Sequence, residues 1–177
     1  VPQLIAPHTR VHASFLDALA EFAADGTEAH VVHPHEVAEF GDIWHRPDGF
    51  AGYVARLRAE ALEDGPRPEH WVPHTVLWYV DGDTFLGRLS IRHRLSPILL
   101  EFGGHIGYAV RPGARRQGHA TAMLRDALPH ARRLGLGSVL LTCDHDNVGS
   151  RRVIEANGGA FEDRRGEKRR YWIRTDL

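Results

Sequence analysis

Residues Ile106 to Ala120 constrain the fold of this chain more than any other stretch. Ile106, Tyr108 and Val110 alternate with small residues, which is the period of a β-strand. Pro112 and Gly113 end that strand. From Ala120 onward, Ala120, Met123, Leu124, Ala127, Leu128 and Ala131 recur at helical spacing. A strand that feeds a helix through small and basic residues aims free N–H groups and the positive helix end at one spot. The segment is therefore expected to hold an anion. Gly113 and Gly118 have the spacing of a nucleoside-triphosphate loop, but His119 and Ala120 stand where that loop needs Lys and Ser or Thr. The dinucleotide fingerprint fails as well, because no G-x-G pair lies between the two glycines.

A second segment follows in order. Ser138–Cys143 reads as a buried strand, and Asn147 then opens a helix with Ser150 one turn in and Gly158 as its stop. Together, Arg115-x-x-Gly118-x-Ala120 and the Asn147…Ser150…Gly158 helix resemble the paired signatures of the GNAT acyl-CoA N-acyltransferases, Q/R-x-x-G-x-G/A and N-x-x-S-x-x-V/L-x-E-x-x-G. The resemblance covers roughly residues 75–175. It implies that acetyl-CoA is the acyl donor. Its pyrophosphate would be held by the loop formed by Arg115, Arg116, Gln117, Gly118, His119 and Ala120, with Tyr108, Val110, Asn147 and Ser150 along the pantetheine arm.

At 177 residues the chain is expected to be one domain, with variable acceptor-side helices in 1–74 and the acyl-CoA core in 75–175. Val11–Phe22 and Phe50–Leu62 read as helices, and residues 27–47 as a loop with a short helix. The segments 75–80 and 85–91 form a hairpin about Asp81-Gly82. Ser96-Pro97 is a turn, and 160–164 with 169–174 form a last hairpin around Gly166. The predicted fold class is α/β (α+β), a mixed, largely antiparallel sheet flanked by helices in the order αα-βββ-α-β-α-ββ. Pro129 falls inside the helix after Gly118 and is expected to kink it, or to end and restart it.

The lone Cys143 sits in an apolar strand and reads as a buried small side chain rather than a nucleophile. No apolar run approaches membrane-spanning length and no leader opens the chain, so a cytoplasmic protein without membrane partners is expected. Charge is uneven. Residues 1–100 carry 14 acidic and 8 basic side chains, a balance of −6, whereas 101–177 carry 9 and 14, a balance of +5. The basic half holds the phosphate loop, and the acidic half is the natural place for a cationic amine acceptor. Nothing in the chain indicates a nucleic-acid partner. A homodimer is left open.

Acyl transfer to an amine needs a neutral amine, a polarised thioester carbonyl and a proton for the leaving thiolate. His105 is the first candidate for the base, because its type has an ordinary pKa of about 6.5 and because GNAT relatives often carry Glu at that place. Glu101 is its rival. The resemblance assigns thioester polarisation to the backbone N–H of Val110. The position where the family often has a proton-donating Tyr is Ile154 here, so Ser150 or water must supply that proton. His30, His33, His35 and Glu36 cluster with ligand-like spacing, but nothing completes a metal set, and no metal is expected. The expected activity is acetyl transfer to a small primary amine. A protein N-terminus or lysine is the alternative acceptor, and a non-catalytic acyl-CoA-binding module is the alternative class.

Overall fold

The computed structural model describes residues 1–176 as two antiparallel sheets with helices packed around them. A short strand β1 (Gln3–Ile5) precedes helix α1 (His12–Asp25), which stops at Gly26 in the left-handed conformation. Two further helices, α2 (Pro34–Phe40) and α3 (Pro47–Ala59), complete the N-terminal part. Strands β2 (His74–Asp81), β3 (Thr84–Arg92) and β4 (Ile106–Val110) follow, with a short helix α4 (Pro97–Glu101) between the last two. Helix α5 (His119–Arg133), strand β5 (Ser138–Asp144), helix α6 (Val148–Ala156) and strands β6 (Ala160–Arg165) and β7 (Lys168–Arg174) finish the chain. The first sheet runs β1-β2-β3-β4 and the second β5-β7-β6, and every pairing is antiparallel.

The expected elements are present, with four differences. Strand β1, paired antiparallel with β2, is not among the strands expected from the sequence. The sheet is divided in two, because β4 and β5 do not pair as strands. Ser96-Pro97 starts α4 rather than a turn. The Ser96 hydroxyl accepts from Leu99 N–H at 3.3 Å and Pro97 takes the first helical position, where its missing N–H costs nothing. Finally, α5 runs through Pro129 as one helix. Pro129 lies on its exposed side, where water can serve the carbonyl that the ring leaves unpaired.

Strand β2 is buried on both faces and separates two cores. Trp78 and Val80 point to a cluster with Phe15, Phe22, Phe50, Tyr53 and Phe85, contributed largely by α1 and α3. Leu77 and Tyr79 point to a cluster with Leu89, Ile91, Met123, Leu124 and Ile173, beneath α5 and the second sheet. Aromatic residues fill the first core: the Phe15 ring lies 5.3 Å from both Phe50 and Trp78. Its packing fixes the N-terminal helices against the Trp78 face of the sheet, and the stretch of that face carrying Arg88, Ser90 and Arg92 becomes one wall of the cleft.

The two sheets meet where β4 begins. His105 N–H donates to Leu140 O at 2.7 Å, and Leu140 N–H donates back to His105 Nδ1 at 2.8 Å. Gly104 permits this approach, since a Cβ there would sit 2.2 Å from Leu140 O. Its φ of +61° is also one that glycine adopts freely. Past this junction β4 and β5 part, and the cleft opens between them.

Candidate active site

The cleft encloses about 990 Å³. One end is formed by Val110, Arg115, Arg116, Gly118, His119 and Ala120, the middle by Tyr108, Asn147 and Ser150, and the other end by His33, Arg88, Ser90 and Arg92. The antiparallel ladder with β3 uses alternate residues of β4: Arg92 N–H bonds to His105 O and Arg111 N–H to Leu86 O. In that alternation Ile106, Tyr108 and Val110 turn their N–H groups away from β3. Because β4 has no second neighbour, the Val110 N–H faces the opening.

At the loop end, Arg116 has φ +60° and Gly118 φ +82°. This left-handed pair curls the backbone so that consecutive N–H groups share one concave side. Among the described residues, the N–H groups of Arg116, Gln117 and Gly118 have no protein partner. No side chain caps α5, and a Cβ on Gly118 would meet nothing within 4 Å. This end is a cradle of donors at a helix N-terminus, with open space before it, and it suits a pyrophosphate.

The loop side chains are less uniform. The Arg115 guanidinium is committed to the fold, donating to Val110 O at 3.2 Å and Asp25 Oδ2 at 2.8 Å. Arg116 is exposed on the cleft rim. Gln117 does not line the cleft, and its amide folds back towards Gly113 O at 3.4 Å. Asn147 caps α6 by accepting from Ser150 N–H at 3.1 Å.

In the middle of the cleft, the Tyr108 hydroxyl and Ser150 Oγ are 2.9 Å apart. Burial pushes the Tyr108 phenol up to about 12, so it keeps its proton throughout the neutral range. Ile154, at the position where a family tyrosine was sought, is fully buried in the second core. Tyr108 thus brings a phenol to Ser150 from β4 rather than from α6. Cys143 also touches the cleft, but burial raises its thiol pKa, which disfavours the nucleophilic thiolate.

Neither candidate base fits its expected role. His105 is buried and does not line the cleft. A neutral imidazole has one lone pair, and here that lone pair, on Nδ1, receives the Leu140 N–H. Burial and the nearby Arg92 charge lower its pKa to about 4, so it is a weak base. His105 is a hinge between the sheets. Glu101 ends α4 outside the cleft, where the Arg165 guanidinium donates to its carboxylate at 2.5 Å.

The far end of the cleft corrects the charge expectation. Among the described residues, the acidic lining of the whole cleft is a single residue, Asp144, bound to Lys168 Nζ at 2.6 Å. Four carboxylates of the N-terminal half are spent on holding the fold. Glu21 accepts from Arg111 Nε and Gly113 N–H, each at 2.9 Å, and Asp25 holds Arg115. Glu60 lies 2.7 Å from His74 Nε2. Glu36 is 1 % exposed and accepts from Arg88 at 2.7 Å and from the Tyr53 hydroxyl at 2.5 Å. Arg88 outweighs the burial of Glu36 and holds its pKa down at about 2. His33 and His35 stack with ring centroids 5.8 Å apart and pack against Trp71. Among the described residues, no group of three ligating side chains is arranged for a metal.

Arg88, Ser90 and Arg92 were not singled out from the sequence as site residues. The available signal was polar residues at every second position in an otherwise apolar strand, which places all three on one face.

A family model described as an acetyltransferase (GNAT) domain matches residues 16–160. No curated protein matches the sequence. Among solved structures, the microcin C7 self-immunity acetyltransferase MccE, in complex with acetyl-CoA and AMP, aligns with a TM-score of 0.66 at 10% identity, over 98% of this chain and 92% of that one. RimL, a ribosomal L7/L12 α-N-protein acetyltransferase in complex with coenzyme A, aligns at 0.64 with 15% identity, over 98% and 93%. YncA, a putative acetyltransferase from Salmonella typhimurium with acetyl-CoA, aligns at 0.60 with 16% identity, over 99% and 94%. At such identities the structural likenesses establish the fold. With the match over residues 16–160, the chain belongs to the GNAT acetyltransferase family and is an N-acetyltransferase.

Proposed function

We propose that this protein transfers the acetyl group of acetyl-CoA directly to a primary amine of a small molecule. The observation that carries the reading is the division of labour along one cleft: unpaired loop amides and a free strand edge at one end, a hydroxyl pair in the middle, and open space beyond. Acetyl-CoA is the acyl donor, its pyrophosphate received by the amides of Arg116–Gly118 and the first turn of α5.

The thioester carbonyl accepts from the Val110 N–H, which strengthens as charge builds on the oxygen. The neutral amine attacks the carbonyl carbon, a C–N bond forms, and the C–S bond breaks with the electron pair leaving on sulfur. Ser150 Oγ, oriented by Tyr108, gives its proton to the departing sulfur and regains one from water, which takes up the proton shed by the amine. In this reading no side chain is the base. Asn147 serves the pantetheine arm with its amide nitrogen while its oxygen caps α6.

Thiol release from acetyl-CoA across a panel of small amines tests this. Amine-dependent release that is lost in Gly118→Asp supports the assignment. CoA binding with no release in the presence of any amine would overturn it.

A further inference from the structure

The acceptor end of the cleft is built for an anion. Arg88, Ser90 and Arg92 alternate along β3 and line that wall together. Opposite them in the ladder stand Gly107 and Ala109, paired with Ser90 and Arg88, and their small size leaves the wall uncovered. Arg88 is 4 % exposed, and its Nη1 is used by Val31 O and Glu36, but its buried Nη2 has no partner. That nitrogen is sealed from the cleft, so Arg88 contributes its charge to the wall rather than a direct donor.

Arg92 is the second donor. Its Nη1 donates to the carbonyls of Gly103 at 3.0 Å and Gly104 at 3.3 Å, and among the described residues no carboxylate balances it. The guanidinium lies over Gly107, where a Cβ would sit 3.5 Å from both Nη atoms. Of the two arginines, Arg88 is balanced by Glu36 and Arg92 is not. One uncompensated charge matches a monoanion better than a dianion. A guanidinium with free planar donors also matches a carboxylate in shape.

We propose that the acceptor is an amino-carboxylate, whose carboxylate docks on Arg92 and Ser90, with the buried charge of Arg88 behind them, while its amine reaches the Val110 edge. This rests on the acetyl-transfer reading above and adds the acceptor's chemical class to it. Gly107 and Val110 are three residues apart along β4, about 10 Å at the rise of a strand. The amine and carboxylate can therefore be separated by several bonds.

The test pairs α-, β- and ω-amino acids with their amides or decarboxylated counterparts, and follows thiol release from acetyl-CoA. At least one carboxylate member should exceed its counterpart in kcat/KM by about 10- to 100-fold, the strength of a charge-assisted hydrogen bond. Arg92→Gln should bring that ratio towards one by raising KM, while CoA still raises the Tm of the variant. Equal or reversed preference in every pair overturns the inference and leaves acetyl transfer standing. Preference for an amine carrying a phosphate monoester, or for a peptide N-terminus over every free amino acid, also overturns it. Silence in every pair with CoA binding intact removes the small-amine reading, and this inference with it.

Discussion

The two ends of the cleft are made of different material. The donor end is backbone: a left-handed pair at Arg116 and Gly118, a helix that starts uncapped, and a strand edge without a neighbour. The acceptor end is side chain: two arginines and a serine on β3, supported from behind by Glu36 on α2 and Tyr53 on α3. Backbone chemistry needs small residues at fixed spacing, so it leaves a motif in the sequence. Side-chain chemistry assembled from three distant segments leaves none. A donor common to a whole family can be served by the first, whereas selecting an acceptor requires the second.

The largest effect that separates the two ends should come from the buried pair behind the acceptor wall. Arg88→Met leaves Glu36 buried with only two uncharged donors, the Tyr53 hydroxyl and the His33 N–H, and should cost about 3–5 kcal/mol of stability by the usual penalty for breaking such a pair. The double variant Arg88→Met with Glu36→Gln should recover a good part of that loss. Urea denaturation of the three proteins checks both statements. A double variant no more stable than Arg88→Met would mean that the pair is not the unit supporting the acceptor wall. Protonating Glu36 acts in the same direction. Its pKa is about 2 in the folded state, below the ordinary carboxylate value of 4.5, so its contribution is present above about pH 4.5 and is lost as pH falls towards 2.

At the donor end, Gly118→Asp introduces a side chain and a negative charge into the amide cradle. Saturation at 100 Kd stabilises a folded protein by about 2.7 kcal/mol, and the variant should lose most of that CoA-dependent gain. A thermal shift retained in the variant would show that the phosphates are not held at this loop. Without CoA the variant should lose about 1–2 kcal/mol, because the new side chain meets open space but an L residue is strained at the φ of +82°.

The middle of the cleft should show a smaller effect, confined to turnover. Ser150→Ala removes the donor facing the departing sulfur and should lower kcat by about 10²-fold, at the low end of proton-transfer catalysis. Tyr108→Phe should lose less, because it only orients that hydroxyl. Pre-steady-state thiol release separates chemistry from product release. If Ser150→Ala turns over at the normal rate, water supplies the proton.

How much could be read in advance follows the same division. The strand–loop–helix from Ile106 to Ala120 and the Asn147 helix carry periodicity and glycine spacing, and both fold as expected. The acceptor wall was missed because the alternation puts Arg88, Ser90 and Arg92 on one face of the strand but does not say what that face meets, or that Glu36 packs beneath it. The acidic surplus of the N-terminal half misled for a related reason. Counting charges along a chain ignores pairing, and Glu21, Asp25, Glu36 and Glu60 are consumed by basic partners. His105 misled through position alone. It stands at the start of β4, but its lone pair is used before any substrate arrives.

The hinge gives the smallest and most diagnostic prediction. If His105 joins the sheets and takes no part in catalysis, His105→Asn should preserve the contact, since an amide oxygen can accept from Leu140 N–H as Nδ1 does. His105→Ala cannot, and should cost about 1–3 kcal/mol for the orphaned N–H. Neither variant should shift the acid limb of the kcat/KM profile. The pH dependence of stability offers a second reading. The folded pKa of about 4 lies below the ordinary 6.5, so the unfolded chain binds the extra proton first. Stability is then lost as pH falls from about 6.5 towards 4 and does not fall further from this group below that. His33, also lowered to about 4 by burial, contributes a parallel loss that remains in the variant. The stability profile of His105→Asn should therefore be shallower than that of the native protein between pH 6.5 and 4, but not flat. An unchanged slope together with a displaced acid limb would return His105 to the reaction and make the hinge incidental.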